Sequence, residues 1–348
     1  MRYALILSGG KGVRFWPVSR EQNPKQFLAM CSDSPIIEEA IRRVMPLVGV
    51  SRTYIAANAM HRKLIEACAR RPLRMKRENV FFEPQSKNTL APIAYLSSMI
   101  GRKDPQAVIA VFPADHFVKD NARFRSLIRR GMEIARRGFI VTLGIPPDRP
   151  ETGYGYIKAG PAGKGFCLIE RFVEKPDIAR ARAFMRDKRY YWNAGIFIFR
   201  ADVMLEEIRR YCPGVSALLQ KHAAGRLDMK RLWQGMPAIS VDYAVMEKSR
   251  KLALLPAHCG WSDVGSWHSL GELVKKNKDG NVFKGHCIDL ESKNSLVWSA
   301  HKLVVTVGLE DTVVVDTDDA LLVCARDRAQ DIKKIVQILK QKKLHKKL

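Results

Sequence analysis

The sequence has no Cys-x-x-Cys pair and no His-x3-5-His ladder, and its seven cysteines (31, 68, 167, 212, 259, 287, 324) are scattered and odd in number. That pattern argues against a zinc site or a disulfide framework and leaves reduced, buried thiols as the expectation. Long apolar runs are also missing. Nothing approaches the roughly 20 uncharged residues that a bilayer crossing needs. The opening run Tyr3–Leu7 meets glycines at once and is too short for a signal peptide, so a cytoplasmic location is expected. Acidic residues are scarce: 35 Asp plus Glu stand against 60 Lys plus Arg, a net charge of +25. Disorder is excluded, because 47% of the residues are apolar and 27% charged, as in ordinary globular chains. At 348 residues the chain fits one large domain or two of ordinary size.

The positive charge raises the possibility of nucleic acid as a partner. Most of the basic pairs, such as Arg42-Arg43 and Arg136-Arg137, fall in helix-like stretches as solvated faces, and only Lys333–Lys347 is dense. No RNA-binding aromatic motif accompanies that tail, so nucleic acid is not expected as a partner. Anionic small substrates, phosphates above all, suit a basic surface.

Apolar runs at Tyr3–Leu7, Thr53–Ala57, Val80–Phe82, Val108–Phe112 and Phe139–Leu143 read as buried strands. Helix-like segments lie between them at Pro35–Met45, Met60–Arg70, Thr89–Ile100 and Phe124–Arg137. This alternation implies an α/β fold with a doubly wound, mostly parallel sheet. Strands follow at Gly155–Lys158, Phe166–Val173 and Gly195–Phe199, with helices at Asp177–Arg186, Val203–Tyr211 and Asp242–Ser249. A polar seam near Lys275–Asn281 marks a boundary between a domain over 1–275 and a small β-rich module over 281–348. The module ends in a helix with the stripe Ile332, Ile335, Val336 and Leu339. Its short β runs could stack as rungs.

After the first strand comes Ser8-Gly9-Gly10-Lys11-Gly12-Val13-Arg14-Phe15-Trp16-Pro17. A glycine loop at the carboxyl end of a parallel strand brings backbone N–H groups to phosphate oxygens or a base. It is not a Walker loop. It is not the dinucleotide fingerprint either, because Phe15 stands where the third glycine belongs. Arg14, and Lys25 in Pro24-Lys25-Gln26-Phe27-Leu28, flank the loop with cations suited to a polyanion.

Gly9-Gly10-x-Gly12-x-Arg14-x-x-Pro17 followed by Pro24-Lys25-Gln26-Phe27-Leu28 resembles the signature of sugar-1-phosphate nucleotidylyltransferases. Trp16-Pro17 with Ser19-Arg20 resembles the mannose-1-phosphate guanylyltransferases among them. The likeness continues through Phe112–His116, Glu151–Ile157, Val173–Pro176, Trp192–Phe197, Asp242–Lys248 and Trp261–Gly265, in the family's order. Lys11 departs from it, standing where relatives often carry a small residue; it could add a phosphate contact or point to solvent.

The resemblance implies a Rossmann-like (GT-A-like) catalytic domain with a left-handed β-helix-like module, and transfer of GMP from GTP to mannose 1-phosphate. Asp115 and Asp263 would be the ligands of Mg2+; a helix cap and an Asx-turn are their plainer roles. Arg14 and Lys25 would be catalytic, holding the triphosphate, with Ser8, Gly9, Gly10, Gly12, Glu83 and Asn88 around the nucleotide. Gly155, Glu174, Lys175 and Asn193 would bind the sugar phosphate. Glu83 follows the strand Val80–Phe82, and a carboxylate, which only accepts, suits the N1–H and N2–H donors of guanine; a strand-end salt bridge is its alternative. The resemblance further implies a homodimer, and no isomerase domain is expected. Two other readings stay open: a nucleotidylyltransferase for a heptose or glucose phosphate, and a non-catalytic regulatory relative.

Overall fold

β-Branched and aromatic runs separated by amphipathic segments pair as expected near the amino terminus. The structure, a computed structural model, describes every residue except Lys11, so the reading of that lysine lies outside the described residues. In chain order the elements are β1 (Arg2–Ser8), α1 (Ile36–Val48), β2 (Thr53–Asn58), α2 (Arg62–Ile65), β3 (Val80–Glu83), α3 (Leu90–Gly101) and β4 (Val108–Pro113). There follow β5 (Phe117–Val118), α4 (Asn121–Arg136), β6 (Ile140–Ile145), β7 (Tyr156–Gly163), β8 (Phe166–Val173), α5 (Ile178–Met185) and β9 (Tyr190–Arg200). Then come α6 (Ala201–Tyr211), α7 (Pro213–Ala223), α8 (Met229–Gly235), β10 (Leu252–Pro256), β11 (Trp261–Ser262) and α9 (Trp267–Leu273). The last are β12 (Val282–Lys284), β13 (Cys287–Leu290), β14 (Leu296–Ser299), β15 (Val304–Val307), β16 (Thr312–Asp316), β17 (Leu321–Ala325) and α10 (Ile332–Gln341). No helix among the described residues is long and apolar enough to cross a membrane.

The chain divides into two units that do not follow chain order. One holds Met1–Gly9, Ala40–Ala114 and Val118–Trp261; the other holds Gly10–Glu39, Asp115–Phe117 and Ser262–Leu348.

The first unit is built on a nine-stranded sheet of order β3-β2-β1-β4-β9-β6-β10-β8-β7. β3, β2, β1 and β4 are mutually parallel, and β9 runs antiparallel between β4 and β6. Ser8 pairs with Ala57 and Asn58 with Glu83, so β1, β2 and β3 end together at the edge where open α/β sheets bind ligands. α4 buries Phe124, Ile128, Met132 and Ala135 at helical spacing, and Asp120 caps it by accepting from Arg123 N at 2.9 Å. Two stretches expected as helices are less regular. Met60–Arg70 divides into a 3-10 turn, the short α2 and a π turn, and Asp242–Met246 is a π turn.

In the second unit, β12, β14 and β16 stack in parallel, as do β13 and β15, with β17 antiparallel on β16. Val282, Leu296 and Val313 lie in register and point inward with Val315 and Leu322. The amino-terminal segment shares this core through Phe15, Trp16, Met30 and Ile36. Trp267 is fully buried between the rings of Phe15 (5.2 Å) and Trp298 (5.4 Å), and its Nε1 donates to Trp16 O at 3.2 Å. The basic tail is tied down within this unit: Lys340 pairs with Glu21 at 2.8 Å, and Trp16 Nε1 donates to Lys347 O at 2.7 Å. Of the stripe expected on α10, Ile332 and Val336 are buried, but Ile335 is 40% exposed.

Candidate functional site

In the second unit, Lys25 brings Asp115 and the Asp263 turn together. It sits in a single 3-10 turn, Lys25–Phe27, and is only 7% exposed despite its charge. Its Nζ lies 2.9 Å from Asp115 Oδ2 and donates to the carbonyls of Asp263 at 2.7 Å and Val264 at 3.0 Å. One ammonium therefore ties together two segments distant in sequence, with three acceptors for its three protons. Gly12 allows the approach. Its φ is +56°, and a Cβ there would stand 3.0 Å from Lys25 Cβ, Cγ and N. Burial works to raise the Asp115 pKa, but the Lys25 ammonium, helped by His116, outweighs it and holds the carboxyl below its ordinary range. Asp115 caps no helix; it lies between β4 and β5.

The donor set decides which metal suits this place. Among the described residues no group of three or more His, Cys, Asp or Glu side chains could hold an ion. Two carboxylates do not make a zinc site. They do suit a hard cation that keeps several waters and takes one or two protein carboxylates. Gly265 leaves room for the Asp263 carboxylate, since a Cβ there would come within 2.8 Å of its Oδ2. Arg14 is half-buried, and its Nη1 donates to Gln330 Oε1 at 2.8 Å. Gln26 is buried, with Oε1 unpartnered and Nε2 donating to Gly10 O at 3.4 Å.

The remaining expected residues belong to the first unit. Ser8 ends β1 with a buried hydroxyl that has no partner, and at Gly9 a Cβ would meet open space. Glu83 ends β3, and burial pushes its carboxyl up to about 7 against the Lys87 backbone N–H that points at it. Asn88 is exposed, at φ 62°, and its Oδ1 accepts from Thr89 N at 2.9 Å.

Gly155, Glu174, Lys175 and Asn193 come together. Asn193 N donates to Gly155 O at 2.8 Å, and a Cβ on Gly155 would stand 2.5 Å from Glu174 Oε2 and 3.3 Å from Asn193 Cβ. Lys175 Nζ donates to Glu174 Oε1 at 2.8 Å. Burial opposes the Lys175 charge, but this carboxylate overcomes it and raises the ammonium pKa. Three residues given no role in the sequence reading complete the cluster. Asp242 Oδ1 accepts from Asn193 Nδ2 at 3.0 Å, Thr142 Oγ1 donates to Asn193 Oδ1 at 3.0 Å, and Glu247 Oε1 accepts from Glu174 N at 2.8 Å. Burial, then the Glu174 charge, pushes Asp242 up to about 7. Asp242 and Glu247 lie in one of the family-like motifs. Thr142 gives a single signal, a hydroxyl inside an otherwise apolar strand.

The family model described as Nucleotidyl transferase matches residues 3–280, and the model described as MannoseP isomerase/GMP-like beta-helix domain matches residues 285–339. The Xanthan biosynthesis protein XanB of Xanthomonas campestris pv. campestris strain B100 is 41% identical over 344 residues, 97% of this chain and 73% of that protein. The mannose-1-phosphate guanylyltransferase of Escherichia coli K12 is 38% identical over 353 residues, with the same two coverages of 97% and 73%. The crystal structure of mannose-1-phosphate geranyltransferase from Thermus thermophilus superposes with a TM-score of 0.90 at 33% identity, covering 97% of this chain and 99% of that one. Sequence motifs, fold and both family models agree, and the chain belongs to the nucleotidyl transferase family, among its mannose-1-phosphate guanylyltransferases.

Proposed function

We propose that this chain transfers GMP from GTP to α-D-mannose 1-phosphate, releasing pyrophosphate and forming GDP-mannose. The observation that carries the mechanism is the meeting of Asp115 and the Asp263 turn on one buried ammonium. The sugar phosphate is already an anion at neutral pH, so the reaction needs no general base. It needs alignment and charge neutralisation. Nucleotidyl transferases generally use a divalent cation, and we assign Mg2+ here, with Asp115 and Asp263 as the residues that would hold it. When bound, the ion supplies positive charge to phosphate oxygens. Arg14 offers a fork of donors to the triphosphate, and Lys25 keeps Asp115 ionised; Lys25 reaches a phosphate only by giving up a carbonyl. Ser8, Gly9, Gly10, Gly12 and Asn88 serve the nucleotide, and Glu83 reads guanine as a carboxylate. Lys175 holds the sugar phosphate, while Glu174 and Asn193 meet sugar hydroxyls.

The catalytic domain is assigned to 1–275 and the β-rich module to 281–348, in a cytoplasmic homodimer. Ile288 and Leu290 on β13 lie beside Val305 and Val307 on β15, all exposed, and this aliphatic face supports self-association. A Val305→Asp variant should run as a monomer in light scattering. A wild-type monomer would remove the dimer.

Pyrophosphate release from a panel of GTP, dTTP and ATP with mannose, glucose and heptose 1-phosphates, with and without Mg2+, tests the function. The highest kcat/KM is expected for GTP with mannose 1-phosphate, with none in EDTA. Preference for another pair would move the assignment to that pair, and no turnover with any pair would leave the regulatory reading.

A further inference from the structure

A local irregularity in the sheet sets the chemistry of one amide. Along the β6–β9 pair, Thr142 lies opposite Phe197 and Gly144 opposite Asn193, so the segment Ala194–Ile196 bulges out of register. Gly195 supplies the turn with φ 65°. The bulge brings Gly195 N back onto Asn193 Oδ1 at 3.0 Å, and the same oxygen accepts from the buried Thr142 hydroxyl at 3.0 Å. On its other side Asn193 Nδ2 donates to Asp242 Oδ1 at 3.0 Å.

Counting donors and acceptors then leaves little freedom. A backbone N–H can only donate, so the amide oxygen must face Gly195. Both lone pairs of Oδ1 are taken, by Gly195 and Thr142. One of the two Nδ2 protons goes to Asp242. Asn193 is left with a single N–H and no acceptor. Glu174 is the complement. With Oε1 accepting from Lys175, its Oε2 is an acceptor only, and it borders the same spot at Gly155 as Asn193 does.

We propose that Thr142 and Asp242 are positioning residues for sugar selection. They lock Asn193 as a reader that only donates, so the hydroxyl it meets must accept. The inference rests on the assignment of Asn193 to the sugar, and it goes further by naming the residues that fix the direction of that hydrogen bond. Thr142 acts through Asn193. Without the Thr142 hydroxyl, Gly195 N still sets which amide atom is the oxygen, but one lone pair of Oδ1 is freed and the amide plane loses an anchor, so its N–H is aimed less firmly.

The test measures steady-state kinetics with mannose 1-phosphate and its mono-deoxy analogues. In the wild type one analogue should lose about tenfold or more in kcat/KM, the cost of a polar group left unpaired. Thr142→Val, which keeps the shape, should raise KM for mannose 1-phosphate about fivefold with kcat and the GTP KM little changed. The penalty for that one analogue should shrink to about twofold, and Thr142→Ser should restore both. An unchanged penalty in Thr142→Val, or Thr142→Ser behaving like Thr142→Val, overturns the inference.

A second variant covers misfolding of the first. The double exchange Asn193→Asp with Asp242→Asn keeps the buried charge and every hydrogen bond of the network but removes the donor facing the sugar. It should melt near the wild type while KM for mannose 1-phosphate rises about tenfold and KM for GTP holds. Full sugar affinity in that exchange would show that the network only supports the fold. A wild type that releases no pyrophosphate with mannose 1-phosphate overturns the proposed function itself, a result separable from both.

Discussion

The cluster around Lys25 works by charge, whereas the cluster around Asn193 works by the count of donors and acceptors. Lys25 is a buried cation with three acceptors, and one of them, Asp115, is kept ionised by it. Around Asn193 the groups are an amide, a hydroxyl, a backbone N–H and an acid pushed up to about 7. Charge suits a reaction whose difficulty is the crowding of phosphate oxygens. Direction suits the choice among sugar hydroxyls that differ only in where they point. Damage to the first cluster should therefore abolish turnover, and damage to the second should blur selection.

The sharpest break in this contrast is at the carboxylates. Asp115→Ala and Asp263→Ala should each lower kcat roughly 100- to 1000-fold with the circular dichroism spectrum retained. Glu174→Gln, by contrast, should act mainly on KM for mannose 1-phosphate. Equal kcat losses at both clusters would erase the distinction. Next in size, Lys25→Met leaves Asp115 without its cation and should destabilise the fold by about 3 kcal/mol in a urea titration. An unchanged midpoint would mean that Asp115 finds another partner.

Glu83 sharpens the contrast through pH. Its carboxyl lies at about 7, so it is mostly protonated at pH 6 and mostly ionised at pH 8. If guanine needs the ionised form, inhibition by guanosine should tighten about tenfold across that interval, with the wild type improving as pH rises. Glu83→Gln should flatten the profile, and a flat wild-type profile would dissociate Glu83 from the base. The stability linkage has the opposite sign. A folded pKa above the unfolded one adds stability below about pH 4.5, and that stability is lost as pH rises towards 7. The smallest effect is expected at Gly195→Ala, where φ 65° should cost about 1 kcal/mol in thermal unfolding and weaken sugar discrimination without touching GTP affinity.

How much of this was readable in advance differs between the clusters. The first parallel strands, the glycine loop and the position of Glu83 at a strand end are local facts, and apolar runs with turn residues report them. The order of the sheet is not local: β9 enters between β4 and β6 although a long stretch of chain separates it from both. The helices α7 and α8 left weak stripes because each buries only two side chains, Val215 with Leu219 and Leu232 with Trp233. A boundary after residue 275 follows the composition, but Gly10–Glu39 shares a core with the carboxy-terminal strands, and no periodicity in either segment names the other as partner. Motifs brought Lys25, Asp115, Asp263, Glu174 and Asn193 into view. The three-acceptor geometry of Lys25 and the bulge that recruits Thr142 depend on pairing register, which a single strand does not carry.

A crystal structure with GDP-mannose and Mg2+ tests the central claim most directly. The account expects guanine edge-on to Glu83, mannose hydroxyls on Glu174 and Asn193, and the ion on Asp115 and Asp263. Density for the sugar away from Glu174 and Asn193, or for the ion away from both aspartates, would contradict it.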